Sequence, residues 1–160
     1  AHPPASDIPG IGRIAMVADP QGNPFYVMRG AIEEPSHAFS TDAEGRVSWN
    51  ELTTPDPAAA RAFYGKLFGW SSDDFMPMGE MGEYRFLDHA GARIGAISPC
   101  VEGPAGCRYY IPVPSIGQAV DAVKAGGGSV SMGPHEVPGG DHIVVGKDPQ
   151  GAQFALVGKG

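Results

Sequence analysis

The chain is poor in cysteine, with only Cys100 and Cys107 among its 160 residues, flanking a short loop. Two cysteines make no disulfide framework, so free thiols are expected rather than a bridge closing that loop. No apolar run approaches the ~20 residues of a bilayer-crossing helix, which excludes a helical membrane span. The opening residues, AHPPASDIPG, show neither a basic nor an apolar stretch of a secretory signal, and the expected compartment is the cytoplasm. Basic residues are also few: 11 Lys and Arg against 18 Asp and Glu leave a net charge of -7. That balance argues against nucleic acid and against a membrane surface as partners. What remains is 42% hydrophobic and 18% charged, the composition of a globular protein. A chain of this length suits one domain with an appendage, burying roughly 70% of its extended surface.

Self-comparison exposes a duplication. Residues 13–27 match residues 142–156 at a constant shift of 129, Asp19 falling on Asp148. Asp-Pro-Gln-Gly is identical in both copies, and Pro9-Gly10 matches Pro138-Gly139, Ile14 matches Ile143 and Phe25 matches Phe154. Each copy reads as apolar strand, turn, apolar strand, because Pro presets the first turn dihedral and Gly accepts the positive one. A hairpin at 12–30 that duplicates the closing hairpin is expected to be the remnant of a preceding domain. Residues 1–30 are therefore read as that remnant, 31–45 as a polar linker with neither hydrophobic period, and 46–160 as a complete domain. The remnant's apolar residues Ile14, Met16, Phe25 and Val27 are expected to pack onto the 46–160 domain or onto another chain, and the protein partners expected are that preceding domain or a homodimer partner.

Within 46–160 an order of elements repeats. A strand over 46–54 leads through Pro55-Asp56-Pro57 into a helix over about 57–67, with Ala60, Phe63, Tyr64 and Leu67 spaced for one buried stripe and Gly69 as its stop. Strands follow near 84–87 and 92–97, with another short strand before Tyr84 and a turn over Asp88-His89-Ala90-Gly91. The second half shows a strand over 108–113, a helix over about 115–124 ended by Gly126-Gly127-Gly128, a strand near 129–132, and the hairpin 142–157. Pro55 falls on Pro114 and Gly69 on Gly128. The fold class expected is α+β, two βαβββ modules.

The segment from Val47 to Trp70, above all Phe63-Tyr64 followed by Phe68-Gly69-Trp70, together with the Asp-Pro-Gln-Gly hairpin, resembles the vicinal oxygen chelate superfamily of glyoxalases, bleomycin-resistance proteins and dioxygenases. The opening Trp49-Asn50-Glu51-Leu52 is similar to a two-domain, glyoxalase-like branch of it. The resemblance implies curved sheets enclosing a cavity, with the helices outside. In metal-dependent members four inward side chains bind a divalent ion that does Lewis-acid work. Carried onto this chain, those positions are Trp49, Gly95, Arg108 and Ala155, none of which offers a metal-binding side chain. The expectation is no metal and no cofactor.

Strand alternation puts Trp49 and Glu51 on one face of the first strand, with Arg108 and Tyr110 sharing the matching face in the second module. Glu51 is the candidate catalytic residue, a carboxylate in apolar surroundings suited to general acid/base work. Its alternative is a structural partner for Arg108. Trp49, Tyr84, Phe86 and Tyr110 are candidate walls for a flat ligand, or core filling. The five histidines, His2, His37, His89, His135 and His142, read as surface imidazoles, although His135, Glu136 and His142 lie close in sequence. The function expected is metal-independent binding of a small molecule in a central cavity. The alternative is a lyase or dioxygenase-type enzyme of the same superfamily using a metal or Glu51.

Overall fold

The computed structural model describes residues 4–41, 43–100 and 105–160. His2 and most of the loop between Cys100 and Cys107 lie outside the described residues; Cys100 is half-buried and Cys107 exposed. The chain divides into two compact units, one of residues up to Ser36 with Leu52–Cys107, the other of His37–Glu51 with Arg108–Gly160.

The first unit opens with a three-stranded antiparallel sheet, β1 (Ser6–Ile8), β2 (Gly12–Ala18) and β3 (Pro24–Gly30), in that order. The β2–β3 turn is built by Asp19. Its Oδ1 accepts from the backbone N–H of Gln21 and of Asn23, both at 2.9 Å, and Gly22 takes a φ of 88° that a side chain would resist. The expected hairpin over 12–30 is thus formed. It also docks: the Phe25 ring lies 5.7 Å from Tyr64 and 6.0 Å from Phe68, and the Tyr64 hydroxyl donates to Asp19 Oδ2 at 3.1 Å.

Strand β4 (Trp49–Thr54), which belongs to this unit from Leu52, leads into α1 (Pro57–Phe68), then β5 (Phe75–Pro77), a 3-10 turn (Gly79–Met81), β6 (Glu83–His89) and β7 (Ala92–Pro99). The strand order is β5-β6-β7-β4. Helix α1 starts where Asp56 accepts from the Ala59 N–H at 2.9 Å and Pro57 needs no donor. It stops at Gly69, whose φ of 72° closes an N–H bond back to Gly65. Ala60 and Tyr64 are buried against Leu52, Leu87 and Ile97. Leu67 departs from the expected stripe and is 51% exposed. Phe68, four residues after Tyr64, takes the inward place by stacking on Tyr64 and lying 5.2 Å from Trp70. The β6–β7 turn is Ala90-Gly91, shorter than expected, with positive φ at both residues as a two-residue hairpin loop demands.

The second unit holds β8 (Gly106–Ser115, from Arg108 onward), α2 (Ile116–Ala125), β9 (Ser129–Glu136), β10 (His142–Lys147) and β11 (Gln153–Lys159), in the sheet order β8-β11-β10-β9. Strand β11 runs parallel to β8 and the other pairs are antiparallel. Ser115 caps α2, which covers Val144, Leu156 and Phe154 with Ile116, Val120 and Val123. Asp148 repeats the Asp19 turn, accepting from Gln150 at 2.9 Å and Ala152 at 2.8 Å. Elements β4-α1-β5-β6-β7 and β8-α2-β9-β10-β11 are the two βαβββ modules of an α+β fold. Among the described residues no helix is long and apolar enough to cross a membrane.

Candidate functional site

Alternation along β4 sends Leu52 toward α1 and leaves Trp49 and Glu51 on the opposite face. In the second unit this face meets β8. Arg108 donates from Nη1 to Glu51 Oε1 at 3.0 Å, and the Tyr110 hydroxyl donates to Oε2 at 3.2 Å. Glu51 is 9% exposed and Tyr110 3%. Tyr110 is held in register by Ser48, whose N–H donates to the Tyr110 carbonyl at 2.9 Å. Val145 and Ala155 complete its buried surroundings, with Trp49, Ile143 and Val157 packed against them. Trp49, Glu51, Arg108 and Tyr110 share one face, as strand alternation predicts, and Glu51 is the ion-pair partner of Arg108, which the sequence offered as the alternative to a catalytic role.

The electrostatics follow from this enclosure. Burial pushes the Tyr110 phenol up to about 12, because an anion there would lose its water; the negative charge of Glu51 adds to the shift and Arg108 opposes it. Tyr110 is accordingly a neutral hydroxyl donor through the physiological range. Arg108 is bound on Nη1, yet its Nε is buried and has no hydrogen-bond partner among the described residues. An unmet guanidinium N–H beside an engaged carboxylate is a place for an oxygen acceptor. For Glu51 to exchange a proton with a substrate, its bond to Arg108 or to Tyr110 would first have to open.

The other expected residues are distributed as follows. Tyr84 and Phe86 lie in the first unit on β6, their rings 5.8 Å apart and nearly perpendicular, on the face opposite the buried Leu87. The Arg93 guanidinium sits 4.2 Å from the centre of the Phe86 ring, a contact that crosses strands and carried no signal in the sequence. His37, His89 and His135 are exposed. His142 pairs across the strands with Glu136, whereas His135 pairs with Ile143 and therefore faces the other way. These three do not converge. A concavity of about 420 Å³ in the first unit, lined by Asp7, Ile8, Gly12, Arg13, Arg29, Gly30 and Ala31, includes none of the expected site residues.

The positions at which the fold's relatives would hold a metal can be tested by donor chemistry. Trp49 has an indole N–H that donates only, Arg108 is a cation already paired with Glu51, and Gly95 and Ala155 have no side-chain donor atom. These residues do not fit a divalent ion. Among the described residues no three His, Cys, Asp or Glu side chains gather as a metal cluster.

Comparison with known proteins agrees with the architecture. The model of the Glyoxalase/Bleomycin resistance protein/Dioxygenase superfamily matches residues 45–156. CFP32 of Mycobacterium tuberculosis, which bears the name of a glyoxylase, is 35% identical over 118 residues, 71% of this chain and 45% of that protein. The anthracycline biosynthesis protein DauV of Streptomyces sp. strain C5 is 30% identical over 161 residues, 94% of this chain and 54% of its own length. The chain spans about half the length of the curated relatives it matches. Among solved structures, homoprotocatechuate 2,3-dioxygenase from Arthrobacter globiformis superposes with a TM-score of 0.63 at 18% identity, over 99% of this chain and 53% of the other. The chain belongs to the Glyoxalase/Bleomycin resistance protein/Dioxygenase superfamily.

Proposed function

We propose that this member of the superfamily binds a small, oxygen-bearing organic molecule in the cytoplasm without a metal ion, using Arg108, Glu51 and Tyr110 to orient it and Trp49 as an apolar wall. The observation that carries the reading is the buried, unpartnered Nε of Arg108. A buried N–H without an acceptor costs about 1–3 kcal/mol, more when charged, and a ligand carbonyl, carboxylate or hydroxyl oxygen would remove that cost. The ion pair with Glu51 fixes the guanidinium plane, so the donor is oriented before a ligand arrives. A few placed polar groups in apolar surroundings are the usual make-up of a small-molecule site. The acidic charge supports a partner that is neither nucleic acid nor membrane, and the scarcity of cysteine supports a cytoplasmic protein.

Chelator-treated protein would be titrated with a panel of phenols, quinones and short keto and hydroxy acids. Binding would be read from tryptophan fluorescence, with Trp49→Phe separating the signals of Trp49 and Trp70. The reading expects at least one ligand to bind without added metal, and Arg108→Lys to weaken it about tenfold or more, the loss of one oriented hydrogen bond. Binding or turnover seen only after a divalent ion is restored would overturn it in favour of a metal-dependent enzyme. Metal-free turnover that Glu51→Gln abolishes would instead assign Glu51 an acid/base role.

A further inference from the structure

Among the described residues of the second unit, the Lys and Arg side chains lie at the surface with one exception. Arg46, Lys124, Lys147 and Lys159 are exposed, and Lys159 is already bonded to Asp141. Arg108 is the exception, its side chain 28% exposed and its guanidinium joined to the buried Glu51. Tyr110 completes the group as a neutral hydroxyl bonded to the same carboxylate. One cation, one anion and one neutral hydroxyl sum to no net charge. The surroundings add none, since Val145 and Ala155 are buried beside Tyr110, and Trp49, Ile143 and Val157 pack against them.

That balance bears on which oxygen can meet Arg108 Nε, buried and without a partner among the described residues. Shape does not decide it. A guanidinium N–H serves the oxygen of a neutral carbonyl and of a carboxylate alike, and for a carboxylate a second N–H of the fork runs parallel to the first. Charge does decide it. The carbonyl of a neutral molecule satisfies the donor and leaves the group without net charge. A carboxylate gives up its hydration to enter and brings a second negative charge beside Glu51, with no further Lys or Arg at this depth to balance it. At the intermediate dielectric of a partly buried site, that repulsion is worth about tenfold or more in affinity.

We infer that the ligand of this site is a neutral carbonyl compound, such as an amide, ester, ketone or quinone, and that Glu51 sets this preference by turning carboxylates away. The inference rests on the reading that a small molecule binds at Arg108, and it narrows that reading: of the oxygen-bearing classes, the acids drop out. Removing the charge of Glu51 while keeping its shape leaves the guanidinium uncompensated. The same Nε then favours a carboxylate, as a charge-assisted bond is stronger than a neutral one.

Pairs of probes that differ in charge but little in shape provide the test, benzamide with benzoate and methyl pyruvate with pyruvate. Each is titrated by calorimetry into chelator-treated protein at neutral pH, where both acids are ionised. The neutral member should bind about tenfold or more tightly than its acid, and Glu51→Gln should invert that order. Benzoate or pyruvate binding the unaltered protein as tightly as its neutral partner would overturn the inference. The wider reading would survive that result, because an oxygen-bearing ligand would still bind without metal. A folded Glu51→Gln protein in which both members of a pair shift equally would also overturn it, and the comparison in the unaltered protein stands on its own should the variant fail to fold. Silence from every probe would overturn it as well. The wider reading would fall only if the phenols and quinones failed to bind too.

Discussion

Removing one partner from the Glu51, Arg108 and Tyr110 cluster leaves another polar group buried, and the size of that penalty separates the parts of the site. Glu51→Ala strands a guanidinium that is only 28% exposed, so a loss of about 3 kcal/mol is expected in urea denaturation. Replacing the pair together, Glu51→Gln with Arg108→Met, should cost less than Glu51→Ala alone, because no charge is then left without its counterpart. A double variant less stable than Glu51→Ala would contradict this account. Tyr110 adds a pH signature. Its folded value of about 12 lies above the ordinary 10, so the unfolded chain loses the proton first as pH rises. The stabilisation is complete below pH about 10, falls by about 2–3 kcal/mol between about 10 and 12, and stays lost above that. Tyr110→Phe should remove this portion of the pH profile, and a tyrosinate absorbance titration should lose a group titrating at about 12.

The two Asp-Pro-Gln-Gly turns offer a comparison at the scale of the element, since Asp19 and Asp148 make the same backbone bonds in different surroundings. Asp148 serves its own turn, whereas Asp19 is 5% exposed and also accepts from the Asn23 side chain and the Tyr64 hydroxyl. Asp148→Ala should therefore cost about 1 kcal/mol, the worth of a local turn bond. Asp19→Ala should cost about 3 kcal/mol and raise exchange throughout β2 and β3, because it removes the acceptor shared by the Asn23 side chain and the Tyr64 hydroxyl. Equal costs in the two turns would show that the docking contact adds nothing. The turn itself was legible in the sequence, because Asp, Pro and Gly act through bonds to neighbouring backbone. The Tyr64 contact was not, since it joins residues 45 apart. The same division runs through α1: Asp56, Pro57 and Gly69 announce its ends, but whether Leu67 or Phe68 completes the buried stripe was decided by Trp70 and Phe25. Alternation along β4 and β8 was enough to bring Glu51, Arg108 and Tyr110 together on one face. It could not show that Arg108 Nε would be left over, because that depends on interatomic distances.

For the molecule as a whole, the repeated order of strands and helices pointed to the superfamily, while Trp49, Gly95, Arg108 and Ala155 offer no side-chain metal ligand at the four positions the resemblance assigns to one. A protein that binds an ion in its folded state is stabilised by about 2.7 kcal/mol when the ion is at a hundredfold excess over its dissociation constant. For a domain of this size that is a rise in melting temperature of roughly 5–10 °C, large enough to read by differential scanning calorimetry. Chelator-treated protein heated with zinc, manganese, nickel or ferrous ions in turn should show no such rise, since Glu51, the carboxylate two residues along β4 from Trp49, already binds Arg108 and Tyr110. A rise with any of these ions that Glu51→Gln abolishes would place the ion at Glu51 and defeat the metal-free account. A rise that Glu51→Gln leaves intact but His142→Ala removes would instead locate the ion at β10, on the imidazole whose Nδ1 is buried without a partner among the described residues. The expected outcome is neither, with stabilisation appearing only when an oxygen-bearing organic ligand is supplied and disappearing in Arg108→Lys.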